Sequence, residues 1–210
     1  LSAGKRKAIM HPQALAELIG NTDIYLVDQI LKGRYGPGDR VLDAGCGHGR
    51  NLHWFLANDI DVYGTDRDAL VIDELRTMHP ESAADRFKVC PVEQMPFPDD
   101  FFDHVISSAV LHFAKNPAHF LAMFGEMVRV LRPGGSLFIR MASDIGIADR
   151  IQPLGDGVYL IPDGSERFLL NRWMVQTLPL EFGLTVAEPF KTVNVDDQRC
   201  MSTWVLLKNS

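Results

Sequence analysis

The stretch VLDAGCGHGRN, from Val41 to Asn51, decides how this chain is read. An apolar run feeds a turn in which Gly45, Gly47 and Gly49 alternate with other residues. Glycine adopts backbone conformations closed to other residues and lets a ligand approach the main chain. A dinucleotide loop, G-x-G-x-x-G, needs its last glycine at position 50, where Arg50 stands. A phosphate loop of the Walker type needs Gly-Lys-Ser/Thr, and that is missing. Asp43, just ahead of the glycines, would repel a diphosphate and attract an ammonium group. At ~4 Å that attraction is about 4 kcal/mol at an effective dielectric near 20, before desolvation. The loop therefore suits an amino-acid-like ligand, and the alternative is a plain strand-to-helix turn.

The next apolar run ends in VYGTDRD. Asp66 lies 21 positions after Gly45. An acid about 20 residues past such a loop is where α/β nucleoside sites bind ribose hydroxyls. Asp66 could instead cap a helix, but Asp68 is better placed for that.

Outward from this core, strands alternate with helices, which predicts a parallel sheet covered on both faces. The periodicity predicts a first helix over 22–33, capped by Thr22 or Asp23, with Ile24, Val27, Ile30 and Leu31 inward. A strand over 40–44 and a helix over 49–58 follow. A strand over 61–65, a helix over 69–78 capped by Asp68, and strands over 86–90 and 103–108 come next. Asn116 and Pro117 open a helix over 117–131 whose stripe is Phe120, Leu121, Phe124, Met127, Val128 and Leu131. Pro133-Gly134-Gly135 leads to a strand over 136–142. A helix over 169–181 and strands over 184–190 and 201–207 complete the pattern. Residues 144–168 show no helix or long strand. A stretch that long inside a compact domain is usually functional or disordered. Its Ile145, Ile147, Ile151, Leu154, Tyr159 and Ile161 argue against disorder, so a lid is expected.

The chain has 210 residues and a formal net charge of −6, within reach of one α/β domain. A nucleic-acid surface would show a basic stripe. The one dense basic run, Lys5-Arg6-Lys7, reads as a solvated tail. No apolar run is long enough for a membrane span, and no targeting signal opens the sequence, so a cytoplasmic location is expected. Cys46, Cys90 and Cys200 are too widely spaced for a metal pair or a disulfide framework and read as reduced packing residues.

Four motifs in register resemble the class I S-adenosylmethionine-dependent methyltransferases. They are VLDAGCGHGRN, VYGTDRD, KVCPVEQMPFPDDFFDHVISSAVLHF and VLRPGGSLFIRMAS, and the resemblance covers residues 40–142. The GRN ending and the overall length are similar to small methyltransferases of the tellurite-resistance and thiopurine type, and to those acting on quinone precursors. The resemblance implies a Rossmann-like three-layer sandwich. Its seven-stranded sheet would be mostly parallel, with an antiparallel last strand formed as a hairpin of the final two runs. The whole chain, 1–210, would be one domain, with 1–38 as a helical cap and 144–168 as a lid-like insertion.

The resemblance also implies a cofactor, S-adenosylmethionine, leaving as S-adenosylhomocysteine. Asp43, Gly45 and Gly47 would face its methionine part, with Cys46 and Asn51 in the same loop. Asp66 would take the ribose. Arg67, where the family usually has an apolar residue, would stack on the adenine. Val92 with Glu93 or Gln94 would meet the adenine edge, because Pro91 stands where the family commonly has an Asp. Ser108 would lie near the sulfonium. No metal is required.

His112 is the candidate base, or else a structural histidine. Arg140 and Asp144 either line the acceptor pocket or pair with each other. Tyr159 and Arg167 in the lid, with Tyr25 and His11 in the cap, are further pocket candidates. The acidic charge and the lid favour a small-molecule acceptor, with no membrane and no nucleic acid as partner. The alternatives are a tRNA or protein methyltransferase and a catalytically silent nucleoside-binding module.

Overall fold

The structure is a computed structural model that describes residues 11–80 and 85–210; Lys5-Arg6-Lys7 lies outside the described residues. Its helices are α1 (Pro12–Ile19), α2 (Ile24–Leu31), α3 (His53–Leu56), α4 (Ala69–Met78), α5 (Pro117–Val130) and α6 (Arg172–Glu181). Its strands are β1 (Arg40–Ala44), β2 (Asp61–Asp66), β3 (Phe87–Val89), β4 (Phe102–Ser108), β5 (Leu131–Ser143), β6 (Gln152–Gly155), β7 (Val158–Leu160), β8 (Glu166–Phe168), β9 (Leu184–Val186), β10 (Lys191–Val195) and β11 (Arg199–Lys208).

The main sheet runs β10-β11-β5-β4-β1-β2-β3. Strands β3, β2, β1, β4 and β5 are mutually parallel, and β11 runs against β5. Side chains alternate across the sheet with period two. Leu42, Val105, Leu137, Ile139 and Trp204 pack under α5 and α6. Val41, Ile106, Phe138 and Val205 pack under α2, α3 and α4. The predicted Rossmann-like sandwich is thus present, with both faces buried as a parallel sheet requires.

Several expected boundaries differ, each for a local reason. A helix not expected, α1, precedes the first predicted one; His11 caps it and Pro12 opens it. In α2, Asp23 is the cap. The buried face is Leu26, Val27 and Gln29, so Ile24 and Leu31 stand 70 % and 80 % exposed rather than inward. Only His53–Leu56 of the expected 49–58 helix is helical, because left-handed Gly49 (φ 74°) keeps its start in the loop. On α5, Met123 is buried in place of Leu121, which lies outside the buried stripe. Asn171 caps α6, whose start moves to 172 because Leu170 bridges to Ser143.

The run expected as one strand over 184–190 is broken at Pro189, which has no N–H to give a ladder. Pairing resumes in β10, so the terminal hairpin is β10–β11, while β9 pairs the far end of β11. The 144–168 segment holds a three-stranded antiparallel sheet, β6-β7-β8. Asp156 and Gly157, at φ 53° and 75°, make the two-residue turn between Gly155 and Val158. Two left-handed central residues are what a type I′ hairpin needs.

Candidate active site

The glycine loop leaves β1 and is stitched to the end of β2. The amides of Gly45 and Cys46 both donate to the Thr65 carbonyl at 2.8 Å. The Gly47 amide donates to Asp66 Oδ2 at 3.0 Å. Gly45 sits at φ 82°, and a Cβ there would lie 2.6 Å from Val110 Cγ2. Val110 reaches that position because Ala109, after β4, is itself left-handed at φ 64°, with its amide donating to Arg140 O at 2.7 Å. A non-glycine residue there stores strain of the kind that gathers at functional sites. The Cys46 side chain turns into the core, 3.0 Å from where a Cβ on Gly64 would be. Cys46 therefore presents its backbone, not its thiol, to the loop.

Asp43 is 1 % exposed, and neither carboxylate oxygen has a hydrogen-bond partner. Burial pushes its pKa up to about 7, against the pull of Arg50. The Asn51 amide also draws it down, yet stays short of hydrogen-bond geometry. An unpaired buried carboxylate is costly, and it is the kind of group that a cationic ligand satisfies. Asp66 is half-buried and differently engaged: Oδ2 takes the Gly47 amide and Oδ1 the Asp68 amide, each at 3.0 Å. Asp68 also caps α4.

A cavity of about 270 Å³ opens beyond the carboxyl ends of the strands. Gly45, Asp66, Arg67, Val92 and Glu93 line it, facing Val110 and Phe113 across the opening. Sites in such sheets sit at those ends. Of the two candidate edge readers, Glu93 lines the cavity, 3.3 Å from His119 Nε2, whereas Gln94 is exposed outside the lining. Asn51 lies buried beneath the loop, and Ser108 Oγ accepts from Arg50 at 3.3 Å.

The cap helix closes on this loop through one buried acid. Asp23 accepts from the Tyr25 amide and donates its own amide to Asn51 Oδ1 at 3.1 Å. Its carboxylate pairs with Arg140 and stands 3.7 Å from Arg50. The Arg140 guanidinium lies 4.9 Å above the Tyr25 ring. Arg140 is thus paired with Asp23 and not with Asp144. Asp144 is raised above the ordinary carboxylate range by burial, with Arg172 opposing. Asp144 and Tyr159 line a second, apolar cavity of about 190 Å³ between α5, α6 and β7–β8. The stacked rings of Phe120 and Phe168, 5.0 Å apart, form one wall of it. The residues expected in one acceptor pocket are therefore divided between two places.

His112 sits in a 3₁₀ turn, Leu111–Phe113, and is buried. Its Nδ1 accepts from the Ala142 amide at 3.3 Å. Burial lowers its pKa to about 4, with Arg167 adding to the effect. The ring is neutral at neutral pH, Nε2 carries the proton, and the lone pair a base would use is engaged. His11 caps α1 with its Nδ1, away from the cavity. Sequence reasoning missed Asp23 as a bridge, and it missed Arg50 and Phe113 as site residues. A cap that pairs with a strand end 117 residues later leaves no local signal. Among the described residues no group of His, Cys, Asp or Glu is arranged to hold a metal, and no helix is long and apolar enough to cross a membrane. All three cysteines are free and buried.

A glycine loop under an unpartnered acid, with a second acid one strand away, is the arrangement that α/β sheets use for nucleoside ligands. Residues 42–139 match a family described as a methyltransferase domain. In this stretch the chain is similar to the class I S-adenosylmethionine-dependent methyltransferases. It is 30% identical over 135 residues to 27-O-demethylrifamycin SV methyltransferase of Amycolatopsis mediterranei, covering 59% of this chain and 48% of that one. It is 30% identical over 154 residues to tRNA U34 carboxymethyltransferase of Methylococcus capsulatus, covering 71% and 44%. The chain thus spans about half the length of these curated relatives or less. Its fold is shared with the 1,6-didemethyltoxoflavin-N1-methyltransferase of Burkholderia thailandensis, solved with its substrate and S-adenosylhomocysteine. That likeness has a TM-score of 0.65 at 18% identity and covers 99% of this chain and 95% of that one.

Proposed function

We propose that this chain transfers a methyl group from S-adenosylmethionine to a small-molecule acceptor. The observation that carries the reading is Asp43, a buried acid with both oxygens unpartnered beside a glycine loop. Asp43 and Arg50 offer opposite charges to the two ends of an amino-acid zwitterion. Asp66 keeps lone pairs for ribose hydroxyls, and Arg67 and Glu93 flank the base. The bound cofactor supplies a methyl already activated on a sulfonium. The chain's own part is to position both reactants and keep water out. The cap, latched by Asp23 to Arg50 and Arg140, serves the second task. His112 supports the loop after β4 and takes no proton.

The net charge of −6 and the modest cavity favour a small acceptor over a polyanion. Relatives named for a rifamycin and for malonyl-acyl-carrier protein support that class. A tRNA acceptor is the second reading, favoured by the relative named for tRNA U34, which matches 71% of this chain.

The test is calorimetric. S-adenosylhomocysteine should bind in the micromolar range and NADH should not; the reverse result removes the reading. A screen of thiols, phenols, amines, metalloid oxyanions and tRNA, scored by release of S-adenosylhomocysteine, then separates the acceptor classes.

A further inference from the structure

Two cations beside the mouth of the cavity have no ion-pair partner among the described residues. Phe113 is 52 % exposed at that rim. Arg167, from β8 of the inserted sheet, lays its guanidinium 4.9 Å from the Phe113 ring. Arg167 donates to the Glu166 carbonyl at 2.7 Å and forms no ion pair among the described residues. The acid that feels its charge, Asp163, is 3.6 Å from Arg199. Lys115, two positions after Phe113, lines the same cavity and also lacks a carboxylate partner among the described residues. The carboxylates of the cavity are engaged elsewhere: Asp66 by two amides, Glu93 beside His119. Two uncompensated cations thus flank an exposed phenyl ring in a chain of net charge −6.

We propose that the methyl acceptor is a planar anion, an aromatic or conjugated molecule bearing a carboxylate, whose ring lies on Phe113 and whose charge is taken by Arg167 and Lys115. This rests on the methyltransferase reading, since it assigns the acceptor half of that site. A guanidinium matches a carboxylate with two parallel hydrogen bonds, and Lys adds a mobile point charge. A phenyl ring contributes offset stacking to a flat ligand. A cationic acceptor would meet repulsion at the same rim, and a neutral one would leave both charges unused.

The test uses the whole chain saturated with S-adenosylhomocysteine and three probes of one shape: benzoate, benzamide and benzylammonium. Ligand-observed NMR titration should give benzoate a millimolar Kd, at least tenfold tighter than benzamide, with benzylammonium weakest. Arg167→Met and Lys115→Met should each weaken benzoate about fivefold and leave benzamide unmoved. Phe113→Ala should weaken benzoate and benzamide together. No benzoate binding, equal affinity for benzoate and benzamide, or a benzoate preference that survives both Met variants overturns the proposal. Failure of the unaltered chain to bind S-adenosylhomocysteine would instead remove the methyltransferase reading, and calorimetry detects that before any probe is added.

Discussion

Two regions with opposite electrostatics stand on either side of the Phe113 rim: β1, the glycine loop and β2 on one, Lys115 and Arg167 of β8 on the other. The first holds an acid without a cation, Asp43, sealed from water. In the second, Lys115 and Arg167 form no ion pair among the described residues, and Arg167 remains partly exposed. A sealed charge must be satisfied by a ligand of fixed shape, because desolvation makes every mismatch costly. An open charge tolerates variety, because solvent screens what the ligand does not cover. On the proposed function, the cofactor side is therefore built for one ligand, and the acceptor side for a class of them.

The comparison is broken most severely at Gly45. Gly45→Ala places a Cβ 2.6 Å from Val110 Cγ2 at a left-handed φ of 82°. Calorimetry should show at least a hundredfold loss of S-adenosylhomocysteine affinity, and thermal melting should show a less stable protein. Adding Val110→Ala should recover part of that loss, since it relieves the clash and not the φ strain.

Asp43→Asn comes next, with about a thirtyfold loss of affinity at pH 8, the scale of a charged hydrogen-bonded contact. The folded pKa of Asp43, about 7, lies above its ordinary 3.8, so the folded state binds that proton more tightly than the unfolded chain. The stability it contributes is present below about pH 3.8 and is lost as pH rises towards 7. Ligand affinity should rise over the same window, because an ammonium favours the ionised acid. In Asp43→Asn, calorimetric titrations from pH 5 to 8 should be flat.

Asp66→Ala should weaken binding by about 1–2 kcal/mol, the cost of one lost hydrogen-bonded acid. The smallest effect on affinity is expected for His112→Gln, where S-adenosylhomocysteine binding stays unchanged. The signature of that variant lies in stability. His112 has its folded pKa lowered to about 4 from 6.5, so the unfolded chain takes its proton first. Its contribution is present above pH 6.5 and lost as pH falls towards 4. Between those values the Asp43 and His112 slopes oppose each other. Chemical denaturation against pH should show a steeper slope in each single variant than in the unaltered chain, of opposite sign in the two.

What was legible in the sequence follows the same division. The β1 loop and the acid at the end of β2 are close in the chain, so spacing and charge pointed to Asp43, Gly45 and Asp66, which the structure brings to neighbouring strand ends. The proposed acceptor side draws on segments far apart: Tyr25, Phe113, Arg140 and Arg167. Arg140 could be placed at a strand end but not given its partner, because Asp23 looked like any helix cap. Asp156-Gly157 was a readable hairpin signal inside the stretch taken as irregular. Asp196-Asp197, left-handed at φ 50° and 54° in the β10–β11 turn, was not, since aspartate rarely makes such turns without glycine.

Leu170 donates its amide to Ala142 O and accepts from the Asp144 amide, each at 3.1 Å. The two ends of the inserted segment therefore close on each other at the tip of β5, as a cassette does in its slot. Exchanging β6 and the turns of this insertion while keeping Ile147, Ile161, Phe168 and Leu169 in the core is expected to leave the sheet register and the glycine loop where they are. On the proposed function, grafting another hairpin set between Asp144 and Leu170 should change the acceptor and leave S-adenosylhomocysteine affinity as it is.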